Sequence, residues 1–330
     1  MEEKGRNPAG EAGALGDLVV GPVDARVVPR YAGLGTFARL PRVDQVERPD
    51  VAVLGVPFDA GTSYRPGARF GPEAIRQASR MLRTAYDPVL DAEPFLSQQV
   101  VDGGDVSANP YSIPEALDSI EREVTRLRAA GATVVLIGGD HTITLGSLRA
   151  VCRDVGQVAL VHFDAHLDTW DTYFGARVTH GSFLRRGAEE GLFLDDASTH
   201  IGIRGPLYDR QDLVRDAELG FRTMHCRELD EVGIRGAVER IRERAGDRPL
   251  YLSIDIDVLD PANAPGTGTP ELGGMTSREL LAIVQGLAGL HIVGADVVEV
   301  APAYDHAEIT SLAAATVVYK VVGLLALART

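Results

Sequence analysis

The chain has 330 residues, 45% of them hydrophobic and 24% charged, an ordinary globular balance whose length fits one large α/β domain or two smaller ones. Its formal net charge is −14, from 47 Asp and Glu against 33 Lys and Arg. That balance argues against a sequence-independent grip on nucleic acid or on an anionic membrane face, both of which need a basic surface, and it suits a small cationic substrate.

Residues 1–26 are rich in Gly, Glu and Ala and show little periodicity, which predicts a flexible N-terminal extension. The opening MEEKGRNPAGEAG places two acids where a secretory signal wants base followed by an apolar run. No run approaches ~20 consecutive apolar residues, so a cytoplasmic protein without a membrane span is expected. From residue 51 a pattern recurs: a short apolar run, a Gly/Asp/Pro loop, then a stretch of helical spacing. The predicted strands are VAVLGV (51–56), QVV (99–101), TVVLIG (133–138), VALVHF (158–163), HIGIR (200–204), FRTMH (221–225), LYLSIDI (250–256) and HIVGADVVEV (291–300). Such nearly continuous apolar runs suit parallel strands covered on both faces by helices. Between them, Ile113, Leu117, Ile120, Val124 and Leu127 form one helical stripe. Ser112 and Glu115 read as a capping box before it and Gly131 as its stop. Thr276 and Glu279 open a second helix in the same way. With no repeat or linker after residue 51, residues 27–330 read as one three-layer α/β/α domain around a mostly parallel sheet of about eight strands. Cys152 and Cys226 are too few for a disulfide framework or a thiolate cage and read as small buried hydrophobes.

In open sheets of this kind ligands bind beyond the carboxyl ends of the strands, and the chemistry-bearing residues fall there. Gly138-Gly139-Asp140-His141 follows the third strand, Asp164-Ala165-His166-Leu167-Asp168 the fourth, and Asp255-Ile256-Asp257 ends the seventh. Residues two apart in an extended segment point the same way, so His141, Asp164, His166, Asp168, Asp255 and Asp257 are expected to converge. Four carboxylates so close resist ionisation unless cations sit among them. Six such groups exceed one ion's needs and suit two ions sharing carboxylates. An oxygen-dominated set with imidazole and no thiolate favours Mn²⁺ over Zn²⁺, with Ni²⁺ or Co²⁺ as further options. Acids after strands are more often N-caps and turn formers. That reading accounts for one or two of these positions but not for Asp-x-His-x-Asp together with a second Asp-x-Asp.

The segments GTSYRPGARFGP, GGDHTITLGSLRA, VHFDAHLDTWD, HGSFLRR, SIDIDVLDPANAPGTGTPELGGMTSREL and DVVEVAPAYDHAEIT closely resemble the ureohydrolase (arginase/agmatinase) family, most of all its agmatinase branch, in order over about residues 51–316. The resemblance implies a hydrolase with two Mn²⁺ per chain that releases urea from a guanidino compound. It also implies an arginase-type fold assembling as trimers or hexamers. It makes Asp164 and Asp255 the bridging carboxylates, with His141 and Asp168 completing one ion and His166 and Asp257 the other. His180 matches the family's proton-shuttling histidine and Glu299 its guanidinium-binding acid. The chemistry agrees: guanidinium is a poor electrophile, so its hydrolysis needs a hydroxide bridging the metals near neutral pH, a carboxylate to hold the planar cation, and a group to protonate the departing amine.

Other residues read more plainly. Trp170 is a packing residue or a substrate wall, and His162 packs or supports a ligand rather than adding one. His200, His225 and His291 are satisfied groups at strand ends, and His306 lies in a loop. The expected reaction is agmatine to putrescine and urea, a step of polyamine biosynthesis. The alternatives are a guanidinobutyrase or another ω-guanidino acid hydrolase, and a catalytically silent homologue that binds a partner. The last would be expected to have lost ligands, and none is lost. Far-end candidates lie among Asp171, Arg177, Arg204, Asp209 and Arg210. A single-zinc deacetylase is disfavoured by the second Asp-x-Asp, and a dinucleotide enzyme by the absence of G-x-G-x-x-G after the first strand.

Overall fold

The structure, a computed structural model, describes residues 19–329. Eight strands form one all-parallel sheet in the order β2-β1-β3-β8-β7-β4-β5-β6. They are β1 (Val51–Gly55), β2 (Val100–Asp105), β3 (Thr133–Ile137), β4 (Ala159–Phe163), β5 (Ser198–Ile203), β6 (Phe221–His225), β7 (Leu250–Asp255) and β8 (Ile292–Val298). Every predicted strand is present within a few residues of its expected bounds. Alternate side chains of each strand enter two separate cores: Val51 and Val53 join one, Ala52 and Leu54 the other. That alternation between two buried faces is why the runs are apolar throughout.

One face carries α1 (Gly71–Ser79), α6 (Glu228–Ala245), α7 (Ser277–Gly286) and α8 (Ile309–Leu327). The other carries α2 (Ile113–Ala129), α3 (Ile143–Val155) and α4 (Phe183–Glu189), while α5 (Gln211–Glu218) lies along β6. The capping box at Thr276 and Glu279 forms in full. At α2 only half of it forms. Ser112 accepts from the Glu115 amide, but the Glu115 carboxylate takes the Asn109 side chain instead.

Residues 1–18 of the expected extension lie outside the described residues. From residue 20 the chain is held to the domain: Val20 exchanges two hydrogen bonds with the Gln99 side chain, and Val23 donates to the Arg39 carbonyl. α8 went unread in the sequence. By length and composition it is apolar enough to cross a membrane, yet 78% of that window is buried inside the fold. Its one charge, Lys320, pairs with buried Asp87.

β3, β8, β7 and β4 are consecutive in the sheet, so the loops leaving them meet at one place although their residues are up to 158 positions apart. At the first of these loops the chain needs glycine. A Cβ on Gly139 would overlap the Phe58 carbonyl oxygen, because this strand end packs backbone to backbone against the segment leaving β1.

Candidate metal and substrate site

All six expected ligands come together. His141 Nδ1 lies 3.1 Å from Asp164 Oδ2 and 3.2 Å from both Asp168 Oδ2 and Asp255 Oδ2. His166 Nδ1 lies 3.2 Å from Asp164 Oδ1 and 3.1 Å from Asp257 Oδ2. The two groups share Asp164, which turns one oxygen to each. Asp255 turns Oδ2 to the first group and accepts the Asp257 amide on Oδ1.

The convergence does not come from strand alternation, as expected, but from turns. Asp164 Oδ1 accepts the His166 amide at 2.6 Å and Asp255 caps a turn of 3₁₀ helix, so each acid folds the backbone two residues on toward itself. Asp168 then sits at φ 58° and Glu299 at φ 64°. Both are in the left-handed region, which costs a side-chain-bearing residue energy and persists where surrounding contacts enforce it.

The tautomer of His141 is fixed from behind. Ser253 Oγ donates to Asp296 Oδ1 and lies 2.8 Å from His141 Nε2, so Nε2–H donates to the serine and the Nδ1 lone pair faces the carboxylates. Tyr251 completes the row by donating to Asp296 Oδ2. His141 Nδ1, His162 Nε2 and Asp164 Oδ2 are buried without hydrogen-bond partners, which leaves their lone pairs free for an ion. Sequence reasoning missed Ser253 and Asp296, whose signal was their place two and three residues before Asp255 and Glu299.

Burial first, then the neighbouring carboxylates, push Asp255 well above the usual range, Asp257 upward, and Asp168 to about 6. Against the opposing effect of burial, the same carboxylates raise His141 and His166 well above the usual imidazole range, so the cluster draws positive charge to itself and a divalent cation fits it. His162, expected to pack or support, reaches into the first group. Its Nε2 is 3.0 Å from Asp164 Oδ2, and burial pushes its pKa down to about 3.

Glu299, 1% exposed, closes the other side. Its Oε1 accepts from the His141 amide at 2.9 Å and from His180 Nδ1 at 3.0 Å. Its Oε2 is buried without a partner. His180 Nε2 meets Ser63, whose amide and hydroxyl lie 3.1 and 2.8 Å away. The Ser63 amide suits a neutral ring. Glu299, against the opposing effect of burial, raises the His180 pKa to about 9. In both states Nδ1–H donates to Glu299. Asp140, not singled out in the sequence, accepts the Gly61 and Thr142 amides and so ties the Ser63 segment to β3. Burial and Glu299 push its pKa up to about 7.

Trp170 packs its ring on Gly181, the residue after His180, stacks with Tyr173 and meets the Tyr208 ring at a tilt. These three, with Asp171, Arg185 and Arg215, line a cavity of about 440 Å³. Among the far-end candidates, Arg204 is spent on the carbonyls of Gly202, Asp257, Val258, Leu259 and Glu271, and exposed Arg177 pairs with Glu189. His291 and His306 are exposed, and His225 Nδ1 meets the Ile203 carbonyl. Cys152 is half-buried, its thiol pushed up to about 11 by burial.

A family model described as the arginase family matches residues 49–323. The chain belongs to the arginase family. It is 45% identical to a Schizosaccharomyces pombe protein named putative agmatinase 3, over 91% of this chain and 81% of that one. It is 42% identical to the guanidinobutyrase of Pseudomonas aeruginosa, over 92% and 96%. The solved structure of proclavaminate amidinohydrolase from Streptomyces clavuligerus superposes with a TM-score of 0.87 at 43% identity, covering 91% of this chain and 99% of that one. The fold is therefore arginase-like, and this arginase-family chain is a hydrolase acting on guanidino or amidino groups of small molecules. Its His/Asp cluster is able to bind metal.

Proposed function

We propose that the chain is a two-metal amidinohydrolase whose first substrate is agmatine, cleaved to putrescine and urea. The observation that carries the reading is Asp164 turning one oxygen to each of two histidine-centred groups, beside a buried Glu299 oxygen left without a partner.

His141, Asp164, Asp168 and Asp255 would hold one ion, and Asp164, His166, Asp257 and Asp255 the other, Mn²⁺ by the oxygen-rich donor set. Ions held there supply an activated water nucleophile near neutral pH. Glu299 Oε2 accepts from the planar guanidinium and sets its central carbon toward the Asp164 side of the crevice, a charge-assisted bond that gives orientation as well as affinity. His180, anchored to Glu299 through Nδ1, turns Nε2 toward Ser63. From there it passes a proton to the departing amine. Trp170 bounds the site through Gly181.

A second reading, an ω-guanidino acid such as 4-guanidinobutyrate, is favoured by Arg65. The Arg65 carbonyl and Glu299 Oε2 both border Gly268. The Arg65 guanidinium stacks on Tyr304 and Tyr64 and meets no carboxylate among the described residues. A terminal carboxylate would supply one. Against it stand the acid excess of the chain and the agmatinase-like wording of its motifs.

Steady-state kinetics on agmatine, arginine and 4-guanidinobutyrate after Mn²⁺ loading test the reading. The highest kcat/KM is expected for agmatine. Preference for 4-guanidinobutyrate, lost in Arg65→Ala, would replace agmatine by the guanidino acid, and no urea from any of the three would overturn the agmatine assignment and point to another guanidino compound.

A further inference from the structure

Only one residue of α5 is buried, and it is an acid: Asp216, 1% exposed. A surface helix ordinarily turns apolar side chains to the core, so this one is docked by something other than hydrophobic contact. Asp216 Oδ1 accepts from Thr169 Oγ1 at 2.9 Å and lies 3.1 Å from His200 Nε2, while Oδ2 accepts from Thr223 Oγ1 at 3.3 Å. His200 Nδ1 meets His162 Nδ1 at 2.7 Å, and His162 Nε2 is 3.0 Å from Asp164 Oδ2. Parallel register aligns the row, with His162 opposite His200 between β4 and β5, and His200 opposite Thr223 between β5 and β6.

These contacts close a ring. It runs from Asp164 through His162 and His200 to Asp216, then through Thr169 to its chain neighbour Asp168. The segment 164–168 carries three of the six expected ligands, and the ring grips it at both ends from one carboxylate that touches none of them. Asp216 can only accept, so His200 must present Nε2–H to it. His200 Nδ1 is then an acceptor, so His162 donates Nδ1–H to it and its Nε2 lone pair is left facing the space beside Asp164 Oδ2 with no hydrogen-bond partner, as Asp164 Oδ2 is. An acid serving merely to dock α5 would need the Thr223 bond or any surface donor. It would not need donors leading to both ends of one ligand-bearing turn.

We propose that Asp216 is a positioning residue for the metal-binding segment, fixing the His162 ring beside Asp164 through His200 and holding the chain at Asp168 through Thr169. The proposal rests on the reading that Asp164 and Asp168 hold a divalent ion. Groups that hydrogen-bond to ligands from outside typically change metal affinity by about 10- to 100-fold when removed.

The full-length chain, stripped with a chelator, is titrated calorimetrically with Mn²⁺ as wild type, Asp216→Asn and Thr169→Val. Thermal unfolding is followed with and without the ion. Wild type is expected to bind two ions. Asp216→Asn should weaken binding by roughly 10- to 100-fold with little change in metal-free Tm, and Thr169→Val should weaken it less. Thr169→Val leaves the other Asp216 contacts in place, so it keeps the test open if Asp216→Asn does not fold. Wild-type affinity in both variants overturns the proposal. So does a lowered metal-free Tm with unchanged affinity in the folded fraction, which would make Asp216 only a dock for α5. A wild-type chain that takes up no divalent ion overturns the metal reading itself, and the proposal with it.

Discussion

At the scale of single residues, Asp164 and His180 carry opposite kinds of dependence. Asp164 has an oxygen in each group, whereas Asp257 meets only His166 among the histidines. Asp164→Asn should therefore cost more metal affinity than Asp257→Asn, since its loss leaves two centres short of a ligand. Metal titration of the pair checks this, and equal affinities would remove the shared role. His180 reaches the site through Glu299 and Ser63 and has no carboxylate of the six within ion-pair distance. His180→Ala is expected to lower kcat by roughly 10²- to 10⁴-fold, the range for a lost general acid or base, with metal content unchanged. Loss of metal in that variant would show His180 to be a ligand or its support. The six clustered residues were legible in the sequence because strand-end turns rarely carry acids and histidines so densely. Ser253, Asp296 and Asp216 were not. The roles of Ser253 and Asp296 depend on which strands are neighbours, and the order β3-β8-β7-β4 is not the chain order; that of Asp216 depends on which side chain α5 turns inward against β5 and β6.

Among the elements, the strands were legible because both faces of the sheet are covered and most strands carry a nearly continuous apolar run. α8 was not, for a related reason. Buried nearly all round, it has no polar face and hence no helical period to read. Its Lys320 also broke the apolar run. That lysine, 11% exposed in its side chain, meets Asp87 at 1%. Burial works against the Asp87 charge, but the Lys320 bond and the Val89 and Leu90 amides hold its pKa below the usual range. Lys320→Met would leave the acid buried without its cation, a change that typically costs ~3 to 5 kcal/mol. Denaturant unfolding measures it, and a loss within about 0.5 kcal/mol would show the pair to be ornamental to α8 packing. Because the folded Asp87 pKa is depressed, the contribution of this pair is present above the unfolded carboxylate pKa. It is lost as pH falls through the folded one.

For the whole molecule, the metal cluster sets a pH dependence of the opposite sign. Asp168 is pushed up to about 6 by burial and by Asp164, against about 3.9 in an unfolded chain. A carboxyl with a raised folded pKa stabilises below its unfolded value and loses that contribution as pH rises through the folded one. The metal-free chain is therefore expected to weaken between about pH 4 and 6, and the rise in Tm on adding Mn²⁺ should widen over that window. Thermal scans with and without the ion check it, and a gain that narrows as pH rises would contradict it. The same cluster bears on catalysis. If Asp164 joins two ions that act together on the guanidinium held by Glu299, neither ion alone suffices. The direct test is urea release from agmatine by the chelator-stripped chain, followed as Mn²⁺ is added in measured equivalents. Activity is expected to stay low through the first equivalent and to rise with the second. Full activity with a single tightly bound ion would contradict the two-metal account.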